Sequence, residues 1–183
     1  MALSLNGTSN GSLNNLSLSG NTGTVIDTAR AGGIIQVVQV ATSSQVLVNT
    51  NTYTDTALSA SITPSSSTNK VLIMIMQEFV ATRASATVGM GIRLLRDSTV
   101  IWNPVASGTG PFMYYNQGGG DTSQELDGNA MVNYLDSPAT TSEVTYKTQG
   151  RPHTSGNSGA VTFQYNSNGT NPTSTIILME VVA

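Results

Sequence analysis

Apolar residues along this chain either alternate with polar ones or gather in short blocks, and Ser, Thr, Asn, Gly and Pro separate the blocks. No apolar stripe is sustained at the i, i+3, i+4, i+7 spacing of an amphipathic helix, so the pattern predicts strands. Residues 34–40 (IIQVVQV), 46–48 (VLV) and 53–63 read as the first three, the last stopped by Pro64 and a turn at 65–69. Residues 71–80 (VLIMIMQEFV) are continuously apolar but for their Gln and Glu, which predicts a central strand covered on both faces. Residues 90–95 and 99–102 flank Arg96-Asp97-Ser98 as a hairpin. A loop is expected from 103 to 122, carrying Pro104, Pro111 and Gly118-Gly119-Gly120. Further strands are predicted at 130–135, 143–149 and 160–165. In the last of these, Val161, Phe163 and Tyr165 should face one way and Thr162 and Gln164 the other. The apolar run 174–182 (STIILMEVV) is too hydrophobic for a water-facing edge and belongs inside a sheet or against a neighbouring subunit. Roughly eight or nine strands, with turns about every dozen residues, predict an all-β fold, an antiparallel β-sandwich or jelly roll.

Residues 1–33 have a different character. They are almost wholly Leu, Ser, Asn, Gly and Thr, with no basic residue before Arg30. The segment repeats itself, with Leu3-Ser4-Leu5-Asn6-Gly7 echoed by Leu16-Ser17-Leu18-Ser19-Gly20. So little apolar surface cannot offset the entropy of ordering, and the segment is expected to be an extended arm held by a partner. Leu3, Leu5, Leu16 and Leu18 are its candidate anchors, placing alternate side chains against a partner while the backbone pairs with a strand edge. The division is therefore an arm at 1–33 and a β-sandwich head at 34–183.

Composition narrows the chemistry. Only 9% of residues are charged and the net charge is −3. Seven scattered Lys and Arg argue against a phosphate-binding surface for nucleic acid. With no cysteine, disulfides, thiolate metal sites and thiol catalysis are excluded. No run approaches the ~18 apolar residues of a membrane-spanning helix. The N-terminus has neither a basic region nor a long apolar stretch and is not expected to be a secretory signal.

Candidate catalytic groups are sparse. His153 is the only histidine, it lies in a Gly/Pro/Ser-rich stretch, and no Gly-x-Ser-x-Gly elbow accompanies it. It is expected to be an exposed loop residue. Asp121, Glu125 and Asp127 do not follow the spacing of a calcium loop and read as a solvated turn. Gly118-Gly119-Gly120 lacks the Lys-Ser/Thr of a phosphate loop. No catalytic residue, metal ligand or cofactor is assigned. Trp102, Phe112, Tyr114 and Tyr115 are concentrated in or beside one loop of a chain with 5% aromatic residues. Core or subunit packing is their first reading and contact with a receptor or sugar the second.

Four ordered blocks carry a family resemblance: Ile62-Thr63-Pro64-Ser65-Ser66-Ser67-Thr68-Asn69-Lys70-Val71-Leu72-Ile73; Gly91-Ile92-Arg93-Leu94-Leu95-Arg96-Asp97-Ser98-Thr99-Val100-Ile101; Leu135-Asp136-Ser137-Pro138-Ala139-Thr140-Thr141 with Thr145-Tyr146-Lys147; and Ser174-Thr175-Ile176-Ile177-Leu178-Met179-Glu180-Val181. In these the chain resembles the C-terminal head domain of tail-fibre-like virion structural proteins of marine tailed bacteriophages of the cyanophage type. The resemblance spans about residues 33–183 and implies a virion surface protein, a β-sandwich head and a homotrimer. No extended shaft separates arm from head, which favours a short fibre or a capsid decoration over a long tail fibre.

The expected function is therefore a non-enzymatic virion structural protein. Its arm docks on capsid or tail proteins and its head is displayed outward for host attachment, with surface polysaccharide as a candidate ligand. The competing reading is a carbohydrate-binding (lectin-like) or glycan-hydrolysing module.

Overall fold

A computed structural model describes residues 31–104, 111–116, 123–166 and 169–183. The arm anchors Leu3, Leu5, Leu16 and Leu18, with Asp121 and the Gly118-Gly119-Gly120 run, lie outside these residues. Among the described residues the strands are β1 (Ile34–Thr42), β2 (Val46–Val48), β3 (Thr54–Ile62), β4 (Lys70–Ala84), β5 (Thr87–Arg96), β6 (Thr99–Trp102), β7 (Met113–Asn116), β8 (Ser123–Asp136), β9 (Val144–Pro152), β10 (Ala160–Phe163) and β11 (Ser174–Val181). A single short 3-10 turn, Gly156–Ser158, is the one helical element among them. The all-β expectation holds: two antiparallel sheets pack face to face.

β4 is the spine of the first sheet. β8 pairs along its whole length on one side, from Val71 opposite Asp136 to Ala84 opposite Ser123. The other side is shared: β11 pairs with the first half and β10 with the second. β1 then lies outside β11, and β2 outside β10. Gly32 and Gly33 extend the β1 edge through hydrogen bonds to Val182. The apolar C-terminal strand β11 therefore sits inside a sheet, as its composition demanded.

The second sheet runs β3-β9-β5, and the far side of β5 is divided between β6 and β7. The hairpin between β5 and β6 turns on Asp97 with φ +53°, the left-handed region that Asp tolerates. Asp97 also ties the turn to β9, because its N–H donates to the Thr145 carbonyl at 2.7 Å and its Oδ1 accepts from Thr145 N–H at 2.9 Å.

The interior holds two apolar clusters. One is built on Leu58, Ile62, Ile73, Ile75, Leu94, Tyr146, Ile176 and Leu178, the other on Phe79, Val88, Met90, Ile92, Val161 and Phe163. A buried polar girdle from five segments divides them. Gln77 Oε1 accepts from the Thr56 hydroxyl at 2.9 Å and the Thr148 hydroxyl at 2.8 Å, and Gln77 Nε2 donates to Ser174 Oγ at 3.0 Å. Gln164, oriented to satisfy both ends of its amide, donates to the Ser44 and Thr56 carbonyls and accepts from Gln77 and Ser174. Thr56, Gln77, Thr148, Gln164 and Ser174 are all fully buried, so each bond replaces one to water that packing forbids.

Four expectations need correction here. Glu125 and Asp127, read as part of a solvated turn, lie on β8, whose pairing with β4 runs back to Ser123. The loop at 103–122 contains a strand, β7, because its Met-Tyr-Tyr-Asn sequence pairs with the first residues of β5. The alternation at 160–165 stops early: Gln164 adopts φ +50° and turns into the girdle, which leaves Tyr165 half-buried and out of phase. Finally, β4 is central but not covered on both faces. Val71, Ile73, Ile75, Gln77 and Phe79 point into the sandwich, while Met74 and Met76 stand exposed on the outside.

Candidate functional site

The four singled-out aromatics divide into two pairs. Trp102 ends β6 and Phe112 precedes β7; their rings meet edge to face with centroids 6.0 Å apart. Trp102 packs against both apolar clusters and Phe112 against the second, so this pair covers the core on the side where β6 lies beside β5. Tyr114 and Tyr115 lie on β7, where strand alternation sends them to opposite sides, and they remain 49% and 46% exposed. Tyr114 pairs with Gly89 and meets the His153 ring edge-on at 5.2 Å.

His153 is not the exposed loop residue that sequence implied. β9 runs on through Pro152, and the His153 N–H donates to the Gly89 carbonyl at 2.8 Å, which draws the ring half under Tyr114. Burial, followed by the nearby charges of Arg83 and Arg151, lowers its pKa below the ordinary histidine value, so the ring is neutral at pH 7. Its Nδ1 is buried without a hydrogen-bond partner. A catalytic histidine of the Ser-His-Asp kind is oriented by a carboxylate at that nitrogen, and here none is bonded to it.

The outer face of the second sheet carries a connected polar ladder. Lys147 Nζ meets Asp55 Oδ2 at 2.8 Å, Gln149 Nε2 donates to Asp55 Oδ1 at 2.7 Å, and Arg93 Nε donates to Gln149 Oε1 at 2.9 Å. The Arg93 guanidinium lies over the Tyr53 ring at 4.3 Å, with Arg151 at 5.1 Å from the same ring. Gly91 makes this stack possible: a Cβ there would come within 2.9 Å of the Tyr53 hydroxyl. Burial pushes the Asp55 carboxyl up, but the bonds from Lys147 and Gln149 outweigh it and hold its pKa below the ordinary value. Sequence reading missed this group, since Tyr53, Arg93 and Arg151 are far apart in the chain and only the β5–β9 register joins the arginines.

The outer face of the first sheet is of the opposite kind. Pairing sets three rows across β8, β4, β11 and β1: Leu135, Leu72, Met179, Val37; then Asn133, Met74, Ile177, Gln39; then Met131, Met76, Thr175, Ala41. None of these residues is charged. Met131 is 68% exposed, and Val37, Leu135, Met74 and Met76 are also open. A shallow hollow lies between Met74, Met76, Met131, Asn133, Thr175 and Ile177.

One step further along β4 the face becomes acidic, with Glu78 beside Asn129, Val80 beside Asp127 and Thr82 beside Glu125. Burial raises the Glu78 pKa, backbone N–H donors from Tyr165 and Gln164 work against it, and the Asp127 carboxylate adds to the rise. Among the described residues no group of three or more His, Asp or Glu side chains is placed to hold a metal ion.

No known protein family matches the chain, and no curated protein matches it by sequence. Among solved structures, it is similar to the infectious bursal disease virus VP2 subviral particle with a TM-score of 0.41 and 16% identity, over 81% of this chain and 37% of that one. T=1 particles derived from that virus align with a TM-score of 0.37 and 12% identity, over 81% of this chain and 36% of theirs. The chain thus spans little more than a third of the structures it matches. Likeness at this level assigns neither a family nor a role.

Proposed function

We propose that this chain is a non-enzymatic virion structural protein, a short trimeric surface fibre or capsid decoration. Its N-terminal arm docks on capsid or tail proteins, and its β head is displayed outward for host attachment. The observation that carries this reading is the uncharged apolar half of the first sheet's outer face, the kind of surface that subunits of an assembly bury. The resemblance of residues 33–183 to fibre head domains supports it independently. Locating the protein in purified particles by cryo-electron microscopy tests the proposal. Density on the particle surface with the head outward is expected, and absence from particles refutes it. Hundreds of copies per particle indicate a decoration, a few tens or fewer a fibre.

A second reading, glycan binding by the head, is favoured by Tyr114 and Tyr115, which stay half exposed on a short strand at the end of the second sheet. Sugars stack on such rings. Saturable binding of host polysaccharide, lost in Tyr114→Ala, is the expected result, and shortened polysaccharide products would make the protein a hydrolase instead.

A further inference from the structure

We infer that the apolar half of the first sheet's outer face is a self-association surface, buried against copies of this same chain. The inference deepens the structural reading above by naming the surface through which the head assembles.

Three observations support a copy as the occupant. The first is extent. Four strands at ~4.8 Å spacing, crossed by rows from Leu72 to Met76, give a footprint of about 19 by 20 Å, roughly 400 Å². That matches the apolar centre of a standard interface of about 800 Å² per partner, which a polar rim completes. The second is shape. The face is a broad sheet, four strands wide, and one extended segment covers the width of only one or two strands, whereas a second sheet packed ~10 Å above covers all of it. The third is charge. The chain is net −3, yet Met74, Met76, Met131, Leu135, Ile177 and Met179 present no charge, so two copies meet there without repulsion. The acidic half at Glu78, Asp127 and Glu125 marks where contact stops, because like carboxylates brought together in a dry interface oppose association. Flexible methionine side chains suit such a contact, since they adapt to the opposing surface.

The test is sedimentation equilibrium on the full chain, wild type and Met74→Lys/Met131→Lys. Both residues are exposed, so the double variant retains the fold, which its far-ultraviolet circular dichroism spectrum verifies. The wild type is expected to be oligomeric. The double variant should associate at least about 100-fold more weakly, because it places ammonium groups at the dry centre of the contact. Lys147→Glu on the second sheet and Asp127→Asn in the acidic half should leave the mass unchanged. A monomeric wild type overturns the inference and makes the chain's own arm the leading occupant; a double variant that still associates overturns it too. The two proposals fail separately. A monomer found on particles removes only this interface, and an oligomer absent from particles removes only the structural reading.

Discussion

The two outer faces of this sandwich are built by one alternation rule and end in opposite states. On the second sheet the outward positions are Asp55, Arg93, Lys147 and Gln149, joined in a ladder that water solvates readily. On the apolar half of the first sheet the outward positions of β4, β8 and β11 include Met74, Met76, Met131 and Ile177, with no charge among them. Both inward faces are mainly apolar and share the Gln77 girdle, so the cores alone do not distinguish the sheets. The difference lies in what each outer face is suited to meet: water for one, another protein surface for the other.

Substitutions along β4 sharpen that contrast most, because neighbouring residues face opposite sides. Gln77→Ala is expected to lose about 3 kcal/mol or more in urea denaturation, since Thr56, Thr148 and Ser174 lose a buried partner. Met76→Ser, one residue away but outward, should change the stability of the monomer by less than about 0.5 kcal/mol. Equal losses for the two would show that the outer face belongs to the monomer's own core.

A glycine pair makes the same comparison across the second sheet. A Cβ at Gly150, on the inner side, would overlap the Phe163 ring, which is fully buried in the core. Gly150→Ala should cost about 1–3 kcal/mol by thermal unfolding. Gly91→Ala, on the outer side, should cost less, because its Cβ meets only the hydroxyl end of the Tyr53 side chain and not a ring in the core. A reversed order would contradict the assignment of inner and outer sides.

Acid should weaken the first sheet at its Glu180 anchor. Burial pushes the Glu180 carboxyl up, but Asn69 and Ser65 donate to it, each at 2.7 Å, and hold its pKa below the ordinary 4.5. A depressed folded-state pKa contributes stability above pH 4.5 that is lost as pH falls through the lower folded value. Glu180→Gln should flatten the fall in melting temperature across that window, and an unchanged slope would remove Glu180 as a cause. The smallest effect is expected on the solvated face: Lys147→Ala should cost below about 1 kcal/mol and matter less in high salt.

Much of the fold was legible in the sequence. The strands at 34–40, 71–80 and 174–182 appear where apolar alternation or continuous runs placed them, and the Asp97 hairpin agrees with its turn residues. β7 escaped notice because four residues between Pro/Gly-rich stretches carry too little periodicity to mark a strand, and it is the edge of β5 that orders them. Of the candidate site, the aromatic group was legible as composition, but its split into a core-covering pair and an exposed pair was not. That depends on Trp102 and Phe112 meeting against the core while β7 carries Tyr114 and Tyr115 past it.

Sequence by itself determined the all-β class, the order of the main strands and the compositional contrast between residues 1–33 and 34–183, because these rest on local periodicity and turn chemistry. Only the tertiary structure decided which apolar run is covered and which is open. The Leu, Ile and Met residues of 71–80 look alike in a one-dimensional pattern, and burial is settled by what lies opposite. β5 and β9 stand opposite the inner side, and nothing in the described chain stands opposite Met74 and Met76. The girdle around Gln77 is of the same kind, since its five polar residues come from segments that only the packing of the two sheets brings together.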